Sequence, residues 1–559
     1  MQSFFYAGNF IETLKLFRYS LTRQNNFLNF KFSQNKIQMK STLLCLLIIL
    51  LKLNSYSQSI FQTAYGNNDI EKIISVVKDS NYYYVVAQCT TLSSFDKDIS
   101  FFCIDNDGGL LWSVILGTNK NDYASSLVRT SDGGFAISGE TFGGFIDSTT
   151  SDLFLIKTDD QGFPILAETY GGPGNETGGG LLEDVNGNFY MSGTTTSYGN
   201  ALESALIIKT DAMGNQLWTN VNSSMESNWL PDLLQKPNGD LLASGFCFNT
   251  SNPLNKNYVV SIDHMNGNLL QASRSGNSNN CVIAGMTLTS DGGYATCGLE
   301  FFDMGTFNMN VCKYDSAGNR MWNNIYGTNQ DDAYSITEAD NGDLIIAGKT
   351  NVGTVVSPSY KSTLLRLDSA GNIISAKTYG YSATTSESNF VINGINNSIL
   401  SAGIIHEPGL GSNAHIIKTD AAGNSGCFEN TYSPASSILS FSDSVGADWQ
   451  LVNMTQFSIN PFWQSLSNQF TLYCYSTDLS DISTKSPMVF PNPGTGIFII
   501  ETGNFNEHTI EIFNPLHQKI IQQKITEGYA EIDLTKYPPG IYYFVFDSFR
   551  SGKIIIVSN

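Results

Sequence analysis

The sequence predicts an all-β protein built from repeated four-stranded units, and three observations support this fold class. Only 14% of the 559 residues are charged, whereas 50 are glycine, 35 phenylalanine and 26 tyrosine, a composition typical of short strands and tight turns. One aspartate-glycine turn recurs seven times along the chain. A typical unit also contains four short runs with the pattern of strands, separated by turn residues.

The recurring turn reads DSAGN in two of its copies. Successive turn aspartates are 54, 52, 52, 52, 53 and 52 positions apart, and such regularity indicates one structural unit repeated. Because a catalytic site is asymmetric whereas this text recurs in every unit, we expect the aspartates to accept hydrogen bonds within their turns rather than to do chemistry. These residues are Asp105, Asp159, Asp211, Asp263, Asp315, Asp368 and Asp420.

The sixth unit shows the strand pattern clearly, with the runs DAYSITEA, DLIIAGKT, STLLRLD and NIISAKTYG. A period of about 50 residues with four strands matches one blade of a β-propeller. Asn-Gly and Asp-Gly pairs suit the hairpins that join such strands, because both accept positive φ. We therefore predict a seven-bladed β-propeller over residues 58–428.

The seventh unit lacks a good outer strand after its turn, and the sequence indicates what replaces it. Residues 58–66, QSIFQTAYG, match the fourth-strand text NRMWNNIYG of unit five. Phe61 stands at the position of Trp322, and Tyr65 at that of Tyr326. An N-terminal strand that pairs with the last blade would remove an open sheet edge. We therefore predict that the strand in residues 58–66 closes the ring.

The repeated text, as in residues 152–172 and 326–348, resembles the bacterial β-propeller repeat found in secreted surface proteins. The resemblance covers about residues 59–428. It implies the fold but leaves the ligand open, because propellers carry many unrelated functions.

A targeting segment precedes the repeats. Residues 39–57 combine Lys40, an apolar run from Leu43 to Leu51 and small residues up to Ser57, which is the pattern of a secretory signal peptide. The apolar run is about half of the ~20 residues that a membrane-spanning helix needs, so we expect no transmembrane anchor. Residues 1–38 are interpreted as an upstream extension.

The C-terminal residues 486–559 alternate apolar and polar side chains, which predicts a small antiparallel β-sandwich. They resemble the type A C-terminal sorting domain of the type IX secretion system of Bacteroidetes. The residues that carry the resemblance are Pro491, Asn492, Pro493, Gly496, Phe498, Asn514, Asp533, Pro539, Gly540, Ile541, Tyr542 and Lys553. The resemblance implies export through the periplasm, with the type IX machinery as partner, to the medium or the outer cell surface. A generic immunoglobulin-like module without an address role is the alternative.

Residues 429–485 show no regular pattern and are expected to be an irregular segment and a linker. Cys427 and Cys474 flank most of this segment, and we predict a disulfide between them because export permits disulfides. The cysteines show no spacing typical of a zinc site. The net charge of −20 argues against a nucleic acid as partner, since phosphate groups would be repelled.

The loops that join second to third strands differ in every unit, which favours recognition of a protein or glycan ligand at one face of the ring. Their aromatic residues, which alternatively cap the blade ends, are Phe142, Phe145, Phe248, Phe301, Phe302, Phe307 and Tyr360. Acids and amides recur where one blade passes to the next: Asn68, Asp69, Asn121, Asp122, Asn175, Glu176, Asp331, Asp332 and Glu387. These side chains either cap loop amides, which we favour, or hold Ca²⁺.

The sequence assigns no catalytic, cofactor-binding or metal-ligating residue. It contains five histidines and no Ser-His-Asp constellation or phosphate-binding loop. Two alternatives to a binding protein remain open: a glycosidase or polysaccharide lyase with carboxylates from different blades, and a passive adhesive surface layer.

Overall fold

The computed structural model describes residues 59–477 and 488–556, which belong to two compact units that divide after Thr477. Within the first unit the description omits 67–70, 91–95, 144–148, 200–201, 223, 225–226, 250–251, 277–279, 304, 329, 356, 381–383, 408–410, 439–441, 446–448, 453, 459–461 and 466–469. Within the second it omits 491–495, 502–507, 515–518, 526–528, 539 and 547–549.

The first unit consists of seven antiparallel sheets. Strand β1 (Ser59–Tyr65) is the first described strand, and the next 24 strands form the first four strands of blades 1 to 6 in order. Their bounds are β2 Lys72–Lys78, β3 Tyr82–Thr90, β4 Lys97–Asp105, β5 Leu110–Gly117; β6 Asp122–Arg129, β7 Phe135–Thr141, β8 Asp152–Thr158, β9 Pro164–Gly171; β10 Glu176–Glu183, β11 Phe189–Thr195, β12 Ser204–Thr210, β13 Gln216–Asn222; β14 Ser227–Gln235, β15 Leu241–Asn249, β16 Asn252–Ile262, β17 Leu269–Gly276; β18 Cys281–Leu288, β19 Tyr294–Asp303, β20 Thr306–Tyr314, β21 Arg320–Tyr326; β22 Asp332–Glu338, β23 Leu344–Asn351, β24 Tyr360–Leu367, β25 Ile373–Tyr379.

Blade 7 is completed by the N-terminal strand. It contains β26 (Thr385–Asn393), a short 3-10 turn at Ile395–Asn397, β27 (Ile399–Glu407), β28 (Gly411–Thr419) and then β1. Strand β1 pairs with β28 in antiparallel register, with Phe61 opposite Lys418. First strands of neighbouring blades contact each other around the ring, including β26 with β2. The predicted seven-bladed ring, closed by its N-terminal strand, is confirmed.

The segment that follows blade 7 differs from the sequence expectation. Residues 429–477, expected to be irregular, contain seven strands: β29 Glu429–Thr431, β30 Ser436–Ile438, β31 Ser442–Val445, β32 Trp449–Leu451, β33 Thr455–Ser458, β34 Phe462–Ser465 and β35 Phe470–Thr477. Each adds a fifth, outermost strand to one blade, in the order of blades 6, 5, 4, 3, 2, 1 and 7. We call residues 429–477 the belt, because they run once around the perimeter. Six of these strands have only three or four residues, too few for a readable alternation of apolar and polar side chains, which is why the sequence did not predict them.

A bulge recurs in the first strand of every blade, where two residues lie opposite one residue of the second strand. The second strand has a glycine beside the bulge in six blades: Gly139, Gly193, Gly245, Gly298, Gly348 and Gly403. A Cβ at any of these positions would collide with a carbonyl oxygen of the first strand. The repeated glycine therefore follows from the close approach of two backbones. Blade 1 has Ala87 at this position.

Neighbouring blades are joined by buried side chains of the fourth strand. The hydroxyl group of Tyr326 donates to the carbonyl oxygen of Gly371, in the turn of the next blade, at 2.5 Å. The equivalent bonds run from Tyr65 to Gly108, from Tyr170 to Gly214 and from Tyr379 to Gly423. An aromatic residue near the start of the fourth strand also lies against a turn glycine of the next blade, in the pairs Phe61 with Gly108, Trp112 with Gly162, Trp218 with Gly267 and Trp322 with Gly371. Phe61 thus occupies the place of Trp322, as the repeat alignment predicts.

The second unit contains two antiparallel sheets. Its strands are β36 Met488–Phe490, β37 Ile497–Glu501, β38 His508–Phe513, β39 Lys519–Ile525, β40 Tyr529–Asp533, β41 Gly540–Phe546 and β42 Arg550–Ile556. The sheets have the orders β36-β37-β40 and β39-β38-β41-β42. Phe498 and Ile532 of the first sheet share one buried cluster with Ile510, Ile512 and Tyr542 of the second.

Candidate binding site at the channel mouth

The two faces of the ring carry different kinds of connection. Short hairpins join first to second strands and third to fourth strands, so they lie at one face, which we call the turn face. The loops from second to third strands and the crossings between blades lie at the opposite face, which we call the loop face. The first strands surround the central channel, and each begins at the loop face.

The repeated aspartates all lie at the turn face. One carboxylate oxygen of Asp315 accepts the backbone N–H groups of Ala317 and Asn319 at 3.0 and 2.8 Å. The turns of Asp105, Asp159, Asp211, Asp368 and Asp420 have the same pair of bonds. Asp263, in a turn one residue longer, accepts the N–H group of Met265. These carboxylates hold hairpins closed and do not converge.

Five of the acids and amides of the crossings accept hydrogen bonds within the protein. Asp122 accepts the N–H and hydroxyl groups of Thr118 at 2.6 and 3.0 Å. Glu176 accepts the N–H group of Gly172 at 2.9 Å and the hydroxyl group of Thr195 at 2.5 Å. The remaining caps follow the same pattern, with Asn121 accepting from Lys97, Asn175 from Ser151, and Asp331 from Thr328 and Tyr432. Asn68 and Asp69 lie outside the described residues. This geometry fits the capping interpretation for these five side chains. Asp332, whose pKa burial raises to about 6, and Glu387, which pairs with Lys349 and Lys72, do not follow the pattern.

Among the described residues, one cluster of acids and histidine has the spacing of a metal site: Asp240, Asp263 and His264 at the turn face. Nδ1 of His264 lies 3.4 Å from a carboxylate oxygen of Asp240. The Nζ atom of Lys209 donates to the carbonyl oxygen of His264 at 3.1 Å. A lysine this close would repel a cation, so we assign the cluster to the structure of the turn.

One ring of positions differs in chemistry from blade to blade. In each blade, these positions lie just on the loop-face side of the bulge. They consist of one residue of the first strand and the residue of the second strand that pairs with it directly. Most of these first-strand side chains are partly exposed. The pairs are, from blade 1 to blade 7, Lys72–Gln88, Tyr123–Glu140, Thr177–Thr194, Trp229–Phe246, Val282–Leu299, Asp332–Lys349 and Glu387–Ile404. We call these fourteen residues the mouth ring.

Blade 4 contributes an aromatic stack to the mouth ring. The ring centroids of Trp229 and Phe246 are 4.7 Å apart with an interplanar angle of 28°. Phe248 stacks on Trp229 at 5.2 Å and 17°. On neighbouring blade 5, Phe301 and Phe302 near the end of β19 are 38% and 37% exposed. Aromatic side chains that stay partly in water are well placed to contact a ligand.

Blades 6, 7 and 1 contribute charge on another part of the mouth ring. Glu387 forms ion pairs with Lys349 at 3.1 Å and with Lys72 at 3.5 Å. Burial opposes its ionisation, but the two lysines outweigh this and hold the pKa of Glu387 below its usual value. The ammonium group of Lys349 also lies 5.3 and 5.0 Å from the ring centres of Tyr334 and Tyr360, within the range of a cation–π contact.

The acid of blade 2 has different electrostatics. Burial raises the pKa of Glu140 to about 7. Its neighbour Tyr123 lies with its ring centre 6.4 Å from that of the loop residue Phe142. The mouth ring is thus asymmetric, with stacked aromatics on one part and an ion-pair cluster on another.

The structure brings together only part of the aromatic set predicted from the loops. Phe248 and Tyr360 contact members of the mouth ring, Phe142 contacts Tyr123, and Phe301 packs against Phe307 at 5.7 Å. Phe145 lies outside the described residues. Trp229, Phe246 and Lys349 were missed, because the prediction covered only the variable segments between second and third strands. Trp229 lies in a first strand, and the sequence pattern assigns Phe246 and Lys349 to the second strands. The sequence signal that could have located them is variation beside the recurrent bulge. The residues around the bulge repeat from blade to blade, whereas these positions change.

Cys427 is disulfide-bonded. Cys89, Cys103, Cys247, Cys281, Cys297 and Cys312 are free and buried. The side chain of Cys474 lies outside the described part of the chain, so its pairing with Cys427 stays a prediction.

The residues predicted for sorting lie in and around both C-terminal sheets. Gly496 has a φ of 122°, and its carbonyl oxygen accepts the N–H group of Leu534 at 2.6 Å. Phe498 is buried, and the hydroxyl group of Tyr542 donates to the carbonyl oxygen of Pro538 at 2.8 Å. Asp533 accepts the N–H group of Thr535. Asn514 follows β38, Gly540 and Ile541 begin β41, and Lys553 lies on β42, whereas Pro491, Asn492, Pro493 and Pro539 lie outside the described residues.

Comparison with protein families matches residues 488–557 to the secretion system C-terminal sorting domain. The chain therefore ends in a type IX secretion sorting domain, and the protein is secreted or displayed at the outer cell surface. Among the described residues, no helix is long and apolar enough to span a membrane. Comparison with curated proteins finds no match.

Several solved structures have a similar chain path. PorZ, described as an essential bacterial surface component of the type-IX secretion system of Porphyromonas gingivalis, is 11% identical with a TM-score of 0.35. The match covers 88% of this chain and 59% of the PorZ chain, so this protein spans under two thirds of PorZ. A putative glycoside hydrolase from Parabacteroides distasonis is 11% identical with a TM-score of 0.26, over 64% of this chain and 87% of its own. A GH43_12 protein from a capybara gut metagenome is 9% identical with a TM-score of 0.24, over 90% and 94%. Similarity at this level does not bear on ligand or activity.

Proposed function

We propose that this exported propeller is a binding protein whose ligand occupies the mouth ring at the loop face. One observation carries the proposal: the mouth ring is asymmetric, whereas the turns, bulges and blade contacts repeat around the propeller. Positions that serve the architecture keep one chemistry in each blade. Positions that vary between blades are free to serve a ligand, and here they surround a channel opening.

A glycan is the ligand class that fits this arrangement best. Sugar rings present flat apolar faces and a rim of hydroxyl groups. The stacked rings of Trp229, Phe246 and Phe248 supply flat surfaces that suit the apolar faces of sugar rings. Charged donors and acceptors for the sugar hydroxyl groups come from Lys72, Lys349 and Glu387. Charged groups make stronger hydrogen bonds than neutral groups. A protein loop that inserts an aromatic and an acidic residue is the second ligand class to examine.

The test is a glycan and protein array probed with the full exported chain, followed by two tryptophan variants. Trp229→Ala removes the centre of the aromatic stack, and we expect at least a tenfold loss of affinity, as for a central aromatic contact. Trp322→Ala is the matched control, because this tryptophan donates through Nε1 to the carbonyl oxygen of Ser369 in the next blade. We expect Trp322→Ala to lower the melting temperature and to keep the affinity.

The same experiment separates binding from the alternatives. A polysaccharide that is bound and released unchanged supports the proposal. New reducing ends would identify a glycosidase or lyase, and Glu140→Gln would then be the first variant to examine because its pKa of about 7 suits a general acid. Equal retention by wild type and Trp229→Ala would instead indicate a passive surface layer without a discrete site.

A further inference from the structure

The chain leaves blade 7 to enter the belt and returns to blade 7 at the end of the belt. After β28 of blade 7 the chain passes through the Asp420 turn and Cys427, and then joins blade 6 as β29. It continues backwards past blades 5, 4, 3, 2 and 1 and returns to blade 7, where β35 pairs with β1. Residues 428–473 therefore make one circuit of the ring.

The two ends of this circuit meet at one residue of β1. Gln62 lies opposite Cys474 in the register of β1 and β35. The side-chain Nε2 atom of Gln62 donates to the carbonyl oxygen of Cys427 at 2.5 Å and to the hydroxyl group of Ser425 at 2.9 Å. The backbones of Cys427 and Cys474 thus both lie beside Gln62, and Cys427 is disulfide-bonded.

We propose that a disulfide between Cys427 and Cys474 closes the belt into a covalent hoop around the propeller, and that this hoop keeps the belt on the ring after export. The bond forms by thiol–disulfide exchange: the two thiols lose two protons and two electrons, and a protein disulfide of the oxidising compartment accepts them and becomes a dithiol. The hoop contains 48 residues, counted from 427 to 474.

Such a closure would stabilise the belt, because most belt strands make only a few hydrogen bonds to the ring. Strands β29 to β34 have three or four residues each and pair on one side only. Separated short strands detach one at a time, and the detached end of a linear belt is free to peel further. The start of the belt is already fixed, since Lys377 pairs with Glu429 at 3.3 Å and the N–H group of Gly380 donates to Phe428. A hoop fixes the other end at the same place.

The hoop also isolates the ring from the C-terminal unit. Residues 478–487 connect β35 to the sorting domain. Motion or strain that reaches Thr477 through this connection would loosen β35 first. With Cys474 joined to Cys427, loosening stops three residues from the end of β35, and blade 6 and the remaining belt strands keep their partners.

The first part of the test is chemical. Peptide mapping of the full exported chain without reductant is expected to recover one peptide pair that joins Cys427 to Cys474. A protease site placed at residue 453, between β32 and β33, adds a topological check: after cleavage the two fragments stay together on a non-reducing gel and separate after reduction. Recovery of free Cys474, or of Cys427 joined to another residue, would overturn the proposal.

The second part is energetic and uses Cys474→Ser, with Cys89→Ser as the matched control because the Cys89 thiol donates to the carbonyl oxygen of Asp98, a bond that serine can keep. Opening a loop of this size is expected to lower the melting temperature by about 4 °C. Hydrogen exchange of the belt amides should become at least tenfold faster, while amides of β2 to β4 change little. The control should behave as wild type and respond to reductant. If Cys474→Ser leaves both the melting temperature and belt exchange unchanged, the hoop does not hold the belt.

Discussion

Four tyrosine hydroxyl groups join neighbouring blades, and their removal tests how the ring is held together. Tyr65, Tyr170, Tyr326 and Tyr379 donate to turn carbonyl oxygens of the next blade at 2.7, 2.5, 2.5 and 2.7 Å. All four side chains are buried, and burial raises the pKa of each hydroxyl, so each stays a protonated donor. A Tyr→Phe substitution removes the donor, keeps the ring and leaves a buried carbonyl oxygen without that bond.

Each substitution is expected to reduce the free energy of unfolding by about 1 kcal/mol. The four bonds lie at different blade interfaces, so their effects should add to about 4 kcal/mol. For a unit of roughly 420 residues the entropy of unfolding is about 0.9 kcal/mol per degree, which converts the sum into a fall in melting temperature of about 4 to 5 °C.

Differential scanning calorimetry of the fourfold Tyr→Phe variant measures this fall. Tyr82→Phe is the control, since Tyr82 is 38% exposed and its substitution should change the melting temperature by less than 1 °C. If the fourfold variant melts within 1 °C of wild type, the hydroxyl bonds do not stabilise the ring, and packing of the aromatic rings alone holds the blades together.

Two further predictions concern the blades. Gly348→Ala should lower the free energy of unfolding by at least about 2 kcal/mol in a denaturant titration, because a Cβ there would collide with the carbonyl oxygen of Asp332. Ala87→Gly at the equivalent site of blade 1 should lower it by less than about 1 kcal/mol. Equal effects would show that the close backbone approach at the bulge does not require glycine. His415 is buried, and burial lowers its pKa to about 3, so the unfolded chain binds this proton first as pH falls. Its contribution to stability is therefore intact above pH 6.5 and is lost by up to about 1.4 kcal/mol per pH unit between 6.5 and 3. His415→Leu should flatten that slope in pH-dependent urea unfolding, and an unchanged slope would contradict it.

The fold could be predicted from the sequence because its signals repeat. The Asp315 turn and its six copies gave the period, and the match of Phe61 to Trp322 located the closing strand. Both depend on local chemistry: an aspartate that caps its own hairpin and an aromatic residue that packs on a glycine. Each signal occurs within a few residues of the structure that it specifies.

The belt could not be predicted for a physical reason. Strand β29 has three residues and pairs with β25, about 50 positions earlier, and β34 pairs with β5, about 350 positions earlier. Such strands form because the fourth strand of each blade offers an unpaired outer edge. Their own residues show little alternation of apolar and polar side chains. Their stability comes from the ring, so the sequence of the belt alone holds little information about it.

The mouth ring was predicted in part. The variable loops pointed to the loop face, where the mouth ring lies, but the closest aromatic contact of that ring, between Trp229 and Phe246, lies in paired strands. The pairing of Glu387 with Lys72 and Lys349 joins three blades and spans more than 300 positions. Long-range pairs of this kind follow from ring closure, which must be known before the side chains can be placed together.

If this exported propeller binds its ligand at the asymmetric mouth ring, the ligand must contact the residues of that ring. The most direct measurement is a crystal structure of the full chain with the ligand that the array identifies. We expect ligand density at the channel mouth on the loop face, in contact with Trp229 and within hydrogen-bond distance of Lys349 or Glu387. A ligand found at the turn face or on the perimeter of the ring, with Trp229 untouched, would contradict it.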